Sequence, residues 1–185
     1  MKILIVYGTG EGQTRKIARF MEQELQEDQH QVVIADATEE PPSPEGYDLV
    51  MVGSSIHMHK YHKAIFHYAK NYAGMLNNLP TAFFSVCMAV ASDLPEEHEE
   101  AHAIAKKFLH DTHWEAEEIF HIAGALKYTQ YDYFKRLIMR MIAKKQGGAI
   151  DTSKDHEYTD WKAVAHFVKT FADSHTPVPL VTDKQ

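Results

Sequence analysis

Cysteine is almost absent from this chain: Cys87 is the only one in 185 residues. It cannot form an internal disulfide and cannot alone hold a structural zinc, which suits a reducing compartment. Long apolar runs are missing too. The best candidate, Thr81 to Ala91, is about half of the roughly 20 residues a membrane-spanning helix needs, and it contains Ser85. At the start, Met1-Lys2 leads straight into Ile3-Leu4-Ile5-Val6, too short for the apolar region of a signal peptide and without a small-residue cleavage site. The expectation is a cytoplasmic chain. Positive charge is in deficit, with 19 Lys and Arg against 26 Asp and Glu and a net charge of −7, which argues against nucleic acid as a partner. What remains is average for a soluble globular protein: 44% apolar and 24% charged residues exclude collagen-like, disordered and coiled-coil chains. The length allows one compact domain with an embellishment.

Lys2 to Tyr7, a short apolar run rich in β-branched residues and ended by Gly8, predicts a strand buried on both faces. After Gly12, Ile17, Ala18, Met21 and Leu25 recur at helical spacing. Further strands are expected at Gln31 to Ala35, Asp48 to Gly53, Thr81 to Met88 and Ile119 to Ala123. Helices are expected over Tyr61 to Met75, over Pro95 to His110, and from a Thr159 or Asp160 cap through Trp161 to Phe171. Parallel strands need crossover connections, so five strands alternating with helices predict an α/β doubly wound, three-layer sandwich. About 35 residues between the fifth strand and the last helix exceed what such a fold requires. The domain is placed at 1–175, with a helical insert at 125–150 and a loosely held tail at 176–185.

The turn after the first strand, Tyr7-Gly8-Thr9-Gly10-Glu11-Gly12-Gln13-Thr14, stands where a phosphate site would. Its glycines permit close backbone approach, and the free N–H groups of the first helical turn join the Thr9 and Thr14 hydroxyls as donors. An ordinary strand-to-helix turn is the plain alternative. A Walker loop requires a lysine where Gln13 stands. The dinucleotide fingerprint finds glycines at Gly8 and Gly10 but Gln13 at its third place, and Asp36 at the end of the second strand keeps it open.

A hydroxyl-rich loop without lysine suits a phosphate monoester held by neutral donors, and Thr9-Gly10-Glu11-Gly12-Gln13-Thr14 resembles the phosphate loop of flavodoxins. Glu11 stands where many flavodoxins carry a hydroxyl, and its side chain is expected to point away from the anion. The rest of the chain, from residue 3 to about 170, is similar to one branch, the flavodoxin-type menaquinone-dependent protoporphyrinogen IX dehydrogenases of heme biosynthesis. The matching stretches are Gly53-Ser54-Ser55-Ile56 with Tyr61-His62, Pro80 to Val86, Ala105 to Leu109, and Ile122 to Leu126 with Tyr128. Gly147-Gly148 with Asp151-Thr152 and Tyr158-Thr159-Asp160-Trp161 complete them. The chain departs from the family at His57-Met58-His59-Lys60 and Cys87-Met88.

The resemblance implies a flavodoxin-like sheet of order 2-1-3-4-5, flavin mononucleotide (FMN) as cofactor, protoporphyrinogen IX as donor and menaquinone or ubiquinone as acceptor. It implies hydride removal from the porphyrinogen, with reoxidation by quinone, repeated until the porphyrin is aromatic. Cofactor contacts are expected from Thr9, Gly10, Glu11, Gly12, Gln13 and Thr14, and from the loops that can reach a ring: Ser54, Ser55, Ile56, Tyr61, Ser85, Val86, Cys87 and Met88. Tyr61 or His62 either stacks on the flavin or packs against protein. No residue marks itself as a general base, so no catalytic residue is assigned. Thirteen histidines are many, but without ligand-spaced partners His57, His59 and His62 indicate loop solvation, not a metal.

The insert holds the strongest local charge. Lys127 to Lys145 carries six Lys or Arg against one acid, Asp132, hence +5, leaving −12 for the rest of the chain. Phe134, Leu137, Ile138, Met141 and Ile142 form an apolar stripe at helical spacing, with Arg136, Arg140 and Lys144 on another face. Tyr128, Tyr131 and Tyr133 precede it, and such rings favour water–lipid boundaries. One reading packs the stripe on the domain. The other lays an interfacial helix on an anionic membrane surface, where the quinone resides, or pairs the cations with the propionates of a porphyrinogen. The second reading puts the chain on the cytoplasmic face of the inner membrane as a peripheral protein. Competing functions are a flavodoxin-type electron carrier, an NAD(P)H:quinone reductase and a membrane-docked binding module.

Overall fold

The computed structural model describes residues 1–126 and 156–177. Five strands form one parallel sheet: β1 (Lys2–Gly8), β2 (Gln31–Asp36), β3 (Leu49–Ser55), β4 (Thr81–Cys87) and β5 (Glu118–Ala123), in the order β2-β1-β3-β4-β5. Four helices connect and cover them: α1 (Gln13–Glu27), α2 (Lys63–Leu76), α3 (Pro95–Thr112) and α4 (Trp161–His175). The strand order is the one expected.

Alternation along the strands sends successive side chains to opposite faces. Ile3, Ile5 and Tyr7 of β1 join Ile17, Met21 and Leu25 of α1 and Val164, Val168 and Phe171 of α4 in one core layer. Leu4 and Val6 join Ile65 and Leu76 of α2 and Phe108 of α3, with Trp114, in the other. Both faces are dry, so β1, β3 and β4 have no polar side. Phe83 is fully buried, stacks on Phe108 at 4.8 Å and meets the edge of Trp114 at 5.6 Å; its burial stabilises the fold by roughly 1.5–3 kcal/mol. Across the first layer, Phe120 stacks on Phe167 at 4.2 Å. Close approach dictates one glycine. A Cβ on Gly53 would lie 2.0 Å from the Phe84 ring, which crosses the face of β3 at that point.

Element ends differ slightly from the sequence expectation, each for a visible reason. The helix expected from Tyr61 begins at Lys63, because the His62 ring accepts the Ala64 N–H at 3.3 Å as N-cap while the His62 N–H is taken by Ser54 Oγ at 3.1 Å. Strand β4 stops at Cys87, and Met88 opens a short 3-10 turn to Ala91. The helix expected to end at His110 continues to Thr112 and closes with His113 in the left-handed region at φ 58°. Of the two cap candidates for α4, Asp160 serves: its side chain accepts the Ala163 N–H at 3.0 Å.

A feature the apolar pattern did not foretell is a two-stranded antiparallel ribbon, β6 (Ala125–Leu126) with β7 (His156–Glu157). The chain leaves the described fold through β6 and returns through β7. Of the insert, only Ala125 and Leu126 are described; the rest, with Tyr128, Tyr131, Arg136, Arg140 and Lys144, lies outside the described residues, as does the tail beyond Pro177.

Candidate functional site

All five strands point the same way, and the crossover direction reverses between β1 and β3, leaving a crevice at their carboxyl ends. A cleft open to solvent lies there, lined by Thr9, Glu11, Gln13, Thr14, Ser55, Ile56, His57, Val86, Cys87, Met88, Gly124 and Ala125.

The polar end is built by the turn between β1 and α1. Gly12 takes φ 94°, a left-handed conformation that a Cβ would strain, and its N–H donates to Thr9 Oγ1 at 2.9 Å. Helix α1 then starts with no side-chain cap, so its first N–H groups have no helical partner. Thr14 is fully buried, yet its hydroxyl has no hydrogen-bond partner, and neither has the buried hydroxyl of Ser55. A buried hydroxyl without a partner costs about 1–3 kcal/mol. Both orphans line this cleft. Among the described residues no Lys or Arg lines it, so from these an anion there would be held by hydroxyl and amide donors.

Beyond this turn and His57, the lining is apolar or neutral: Ile56, Val86, Cys87, Met88, Gly124 and Ala125. Burial pushes the Cys87 thiol up, only partly offset by the Val90 and Ala89 backbone, so the wall carries no thiolate at neutral pH. The whole surface suits a ligand with a phosphate head and a flat, largely apolar body.

Not every expected residue reaches the wall. Gly10 and Gly12 shape the loop without lining the cleft, and Ser54 and Ser85 are fully buried inside. Tyr61 is not brought to the cleft: its hydroxyl is 2.7 Å from Ser85 Oγ, and its ring meets the edges of Phe83 and Phe108 at 4.9 and 5.0 Å. Burial drives its phenol above the ordinary value, with Ser85 pulling it partly back. Of its two expected roles, packing against protein is the one this geometry carries. Glu11, expected to point away from an anion, does line the cleft. Residues that sequence reasoning missed are His57, Gly124 and Ala125. The last two follow β5, and the strand-end rule that selected the loops after β3 and β4 would have found them. Among the described residues, no group of three His, Cys, Asp or Glu is placed to hold a metal ion.

The sequence pattern of the flavodoxin domain family matches residues 4–153. The chain belongs to that family. Among similar proteins, the protoporphyrinogen IX dehydrogenase [quinone] of Escherichia coli K12 is 39% identical over 173 residues, covering 93% of this chain and 95% of its own. The protein of the same name from Leishmania major is 30% identical over 190 residues, covering 96% of this chain and 78% of its own. Among solved structures, oxidised flavodoxin 1 from Bacillus cereus superposes with a TM-score of 0.58 at 15% identity, covering 94% of this chain and 98% of that one. The apo form of the NADH:FMN oxidoreductase EmoB superposes at 0.56 with 11% identity, covering 96% and 91%. These two share the flavodoxin-domain fold.

Proposed function

We propose that this protein is a flavin-dependent oxidoreductase that oxidises protoporphyrinogen IX to protoporphyrin IX, with a respiratory quinone as electron acceptor, in heme biosynthesis. The observation that carries the reading is its near full-length similarity to relatives named for that reaction. The cleft agrees in chemistry. Its partnerless Thr14 and Ser55 hydroxyls and the free amides of α1 fit the phosphate of FMN, and its neutral wall of Ile56, Val86, Met88, Gly124 and Ala125 fits the ring. When bound, FMN would supply two-electron redox chemistry between donor and quinone, used three times per porphyrinogen, because the oxidation removes six electrons and six protons and each quinone takes up two of each.

The chain's own part is to bind and orient. Neutral donors fix the phosphate end, and backbone groups of 55–57 and 86–88 border the ring. Cys87, held as a thiol, is not a ready base, and no catalytic role is assigned to Glu11 or His57, which also line the cleft.

Delivery of quinone is assigned to the basic stretch 127–145, on sequence grounds. It leaves and re-enters the described fold through β6 and β7, and Ala125 of β6 lines the cleft. Peripheral attachment to an anionic membrane at its cytoplasmic face follows. Among the described residues no helix is long and apolar enough to cross a membrane. Vesicle cosedimentation is expected to drop when Arg136, Arg140 and Lys144 become Glu; undiminished binding would remove the membrane assignment.

The decisive assay mixes FMN-loaded protein with protoporphyrinogen IX without oxygen. The flavin absorbance is expected to bleach and to recover on adding a quinone. A flavin that stays oxidised with the porphyrinogen but bleaches with NADH would replace this reading with an NAD(P)H:quinone reductase.

A further inference from the structure

Glu157 lies outside every motif singled out in the sequence, yet it ties together three parts of the molecule. It stands on β7, in register with Ala125 of β6, where the chain returns to the cleft rim. Its Oε1 accepts from Gln13 Nε2 at 2.7 Å, and both its oxygens accept from Lys16 Nζ, at 2.8 and 2.9 Å. The second Gln13 amide proton goes to Thr159 Oγ1 at 2.9 Å, and the Thr159 hydroxyl donates in turn to the Ala123 carbonyl at 2.7 Å. Gln13 is the first residue of α1, beside the buried and partnerless Thr14 hydroxyl.

An amide side chain has two donor protons. Here one is committed to Glu157 of the return strand and the other to Thr159 just beyond it, so the Gln13 side chain is fixed beside the cleft that the residue lines. Glu157 also occupies the ammonium of Lys16, one of two cations in the first turn of α1; the other, Arg15, is exposed and does not line the cleft.

We propose that Glu157 is a positioning residue for the phosphate loop, and that through Gln13 it sets the preference of the site for a flavin bearing a phosphate over the same flavin without one. The inference rests on the flavin reading above. Donors prearranged around an anion bind it without ordering a loop at that moment, and that gain is specific to the ligand that has the anion.

Flavin fluorescence titrations with FMN and with riboflavin test it. In Glu157→Ala the affinity for FMN is expected to fall about five- to tenfold, the worth of one to two hydrogen bonds, with riboflavin unchanged. Glu157→Gln is expected to restore the ratio, because its amide oxygen still accepts from Gln13. Equal weakening of both ligands would make Glu157 merely structural and overturn the proposal, as would tighter FMN binding in both variants, which would make the carboxylate a competitor of the phosphate for Lys16. A wild-type chain that binds neither flavin would overturn the flavin reading itself, and the inference with it.

Discussion

Thr14 and Met58 each carry a local cost, and that of Thr14 is explained at the cleft. The Thr14 hydroxyl is buried without a partner, so replacing it by the isosteric valine is expected to stabilise the ligand-free protein by about 1 kcal/mol. The same change is expected to weaken FMN about tenfold. Thermal unfolding and fluorescence titration of Thr14→Val check the two signs; a loss of stability without loss of affinity would show the hydroxyl to be structural. Met58 is 92% exposed at the tip of a turn closed by His57 N–H to Lys60 O at 2.8 Å and Lys60 N–H to His57 O at 3.0 Å. Met58 and His59 both have positive φ, 48° and 61°, where glycine or asparagine is the usual choice. Met58→Gly is therefore expected to raise stability by roughly 0.5–1 kcal/mol, net of glycine's larger entropy loss, in a denaturant titration. The loop residues at 9–14 were legible because glycines and hydroxyls between a strand and a helix have few other uses. His57 was legible only as part of a loop, since nothing in a sequence says which way a loop side chain turns.

Elements were easier to read than their ends. Continuous apolar runs identified all five strands because both sheet faces are covered. The start of α2 was misplaced by two residues, since the competition that ends it, Ser54 Oγ taking the His62 N–H and Ser85 holding Tyr61, comes from strands distant in sequence. The packing of α3 on β5 makes a prediction of its own. His121 of β5 lies 4.2 Å from His102 of α3, centroid to centroid, and both its ring nitrogens are buried without partners. Desolvation, and then the charges of His102 and His98, lower it from 6.5 to about 4. Between those values the unfolded chain binds a proton that the folded chain refuses, so stability falls as pH drops through the window. Allowing for the solvent that reaches the site, the loss is on the order of 1–2 kcal/mol. Urea titrations from pH 7 to pH 4 are expected to show that slope, and His121→Leu to flatten it.

At the scale of the whole molecule, ligand and fold are linked. FMN at 100 times its dissociation constant is expected to add about 2.7 kcal/mol to the unfolding free energy, and stripping the flavin to remove it. Riboflavin at the same concentration is expected to add less, by the share the phosphate contributes; equal shifts in a melting experiment would mean that the loop after β1 holds no anion. By itself the sequence determined the α/β class, the layered core, the glycine-rich turn after β1 and the family, because apolar period, glycine placement and motif residues are local properties that survive folding. Only the tertiary structure decided that Tyr61 faces protein and not the cleft, that Gly124 and Ala125 complete the wall, and that Glu157 reaches back to Gln13. Those outcomes depend on groups far apart along the chain meeting in space, and Gln13 and Glu157 are 144 residues apart.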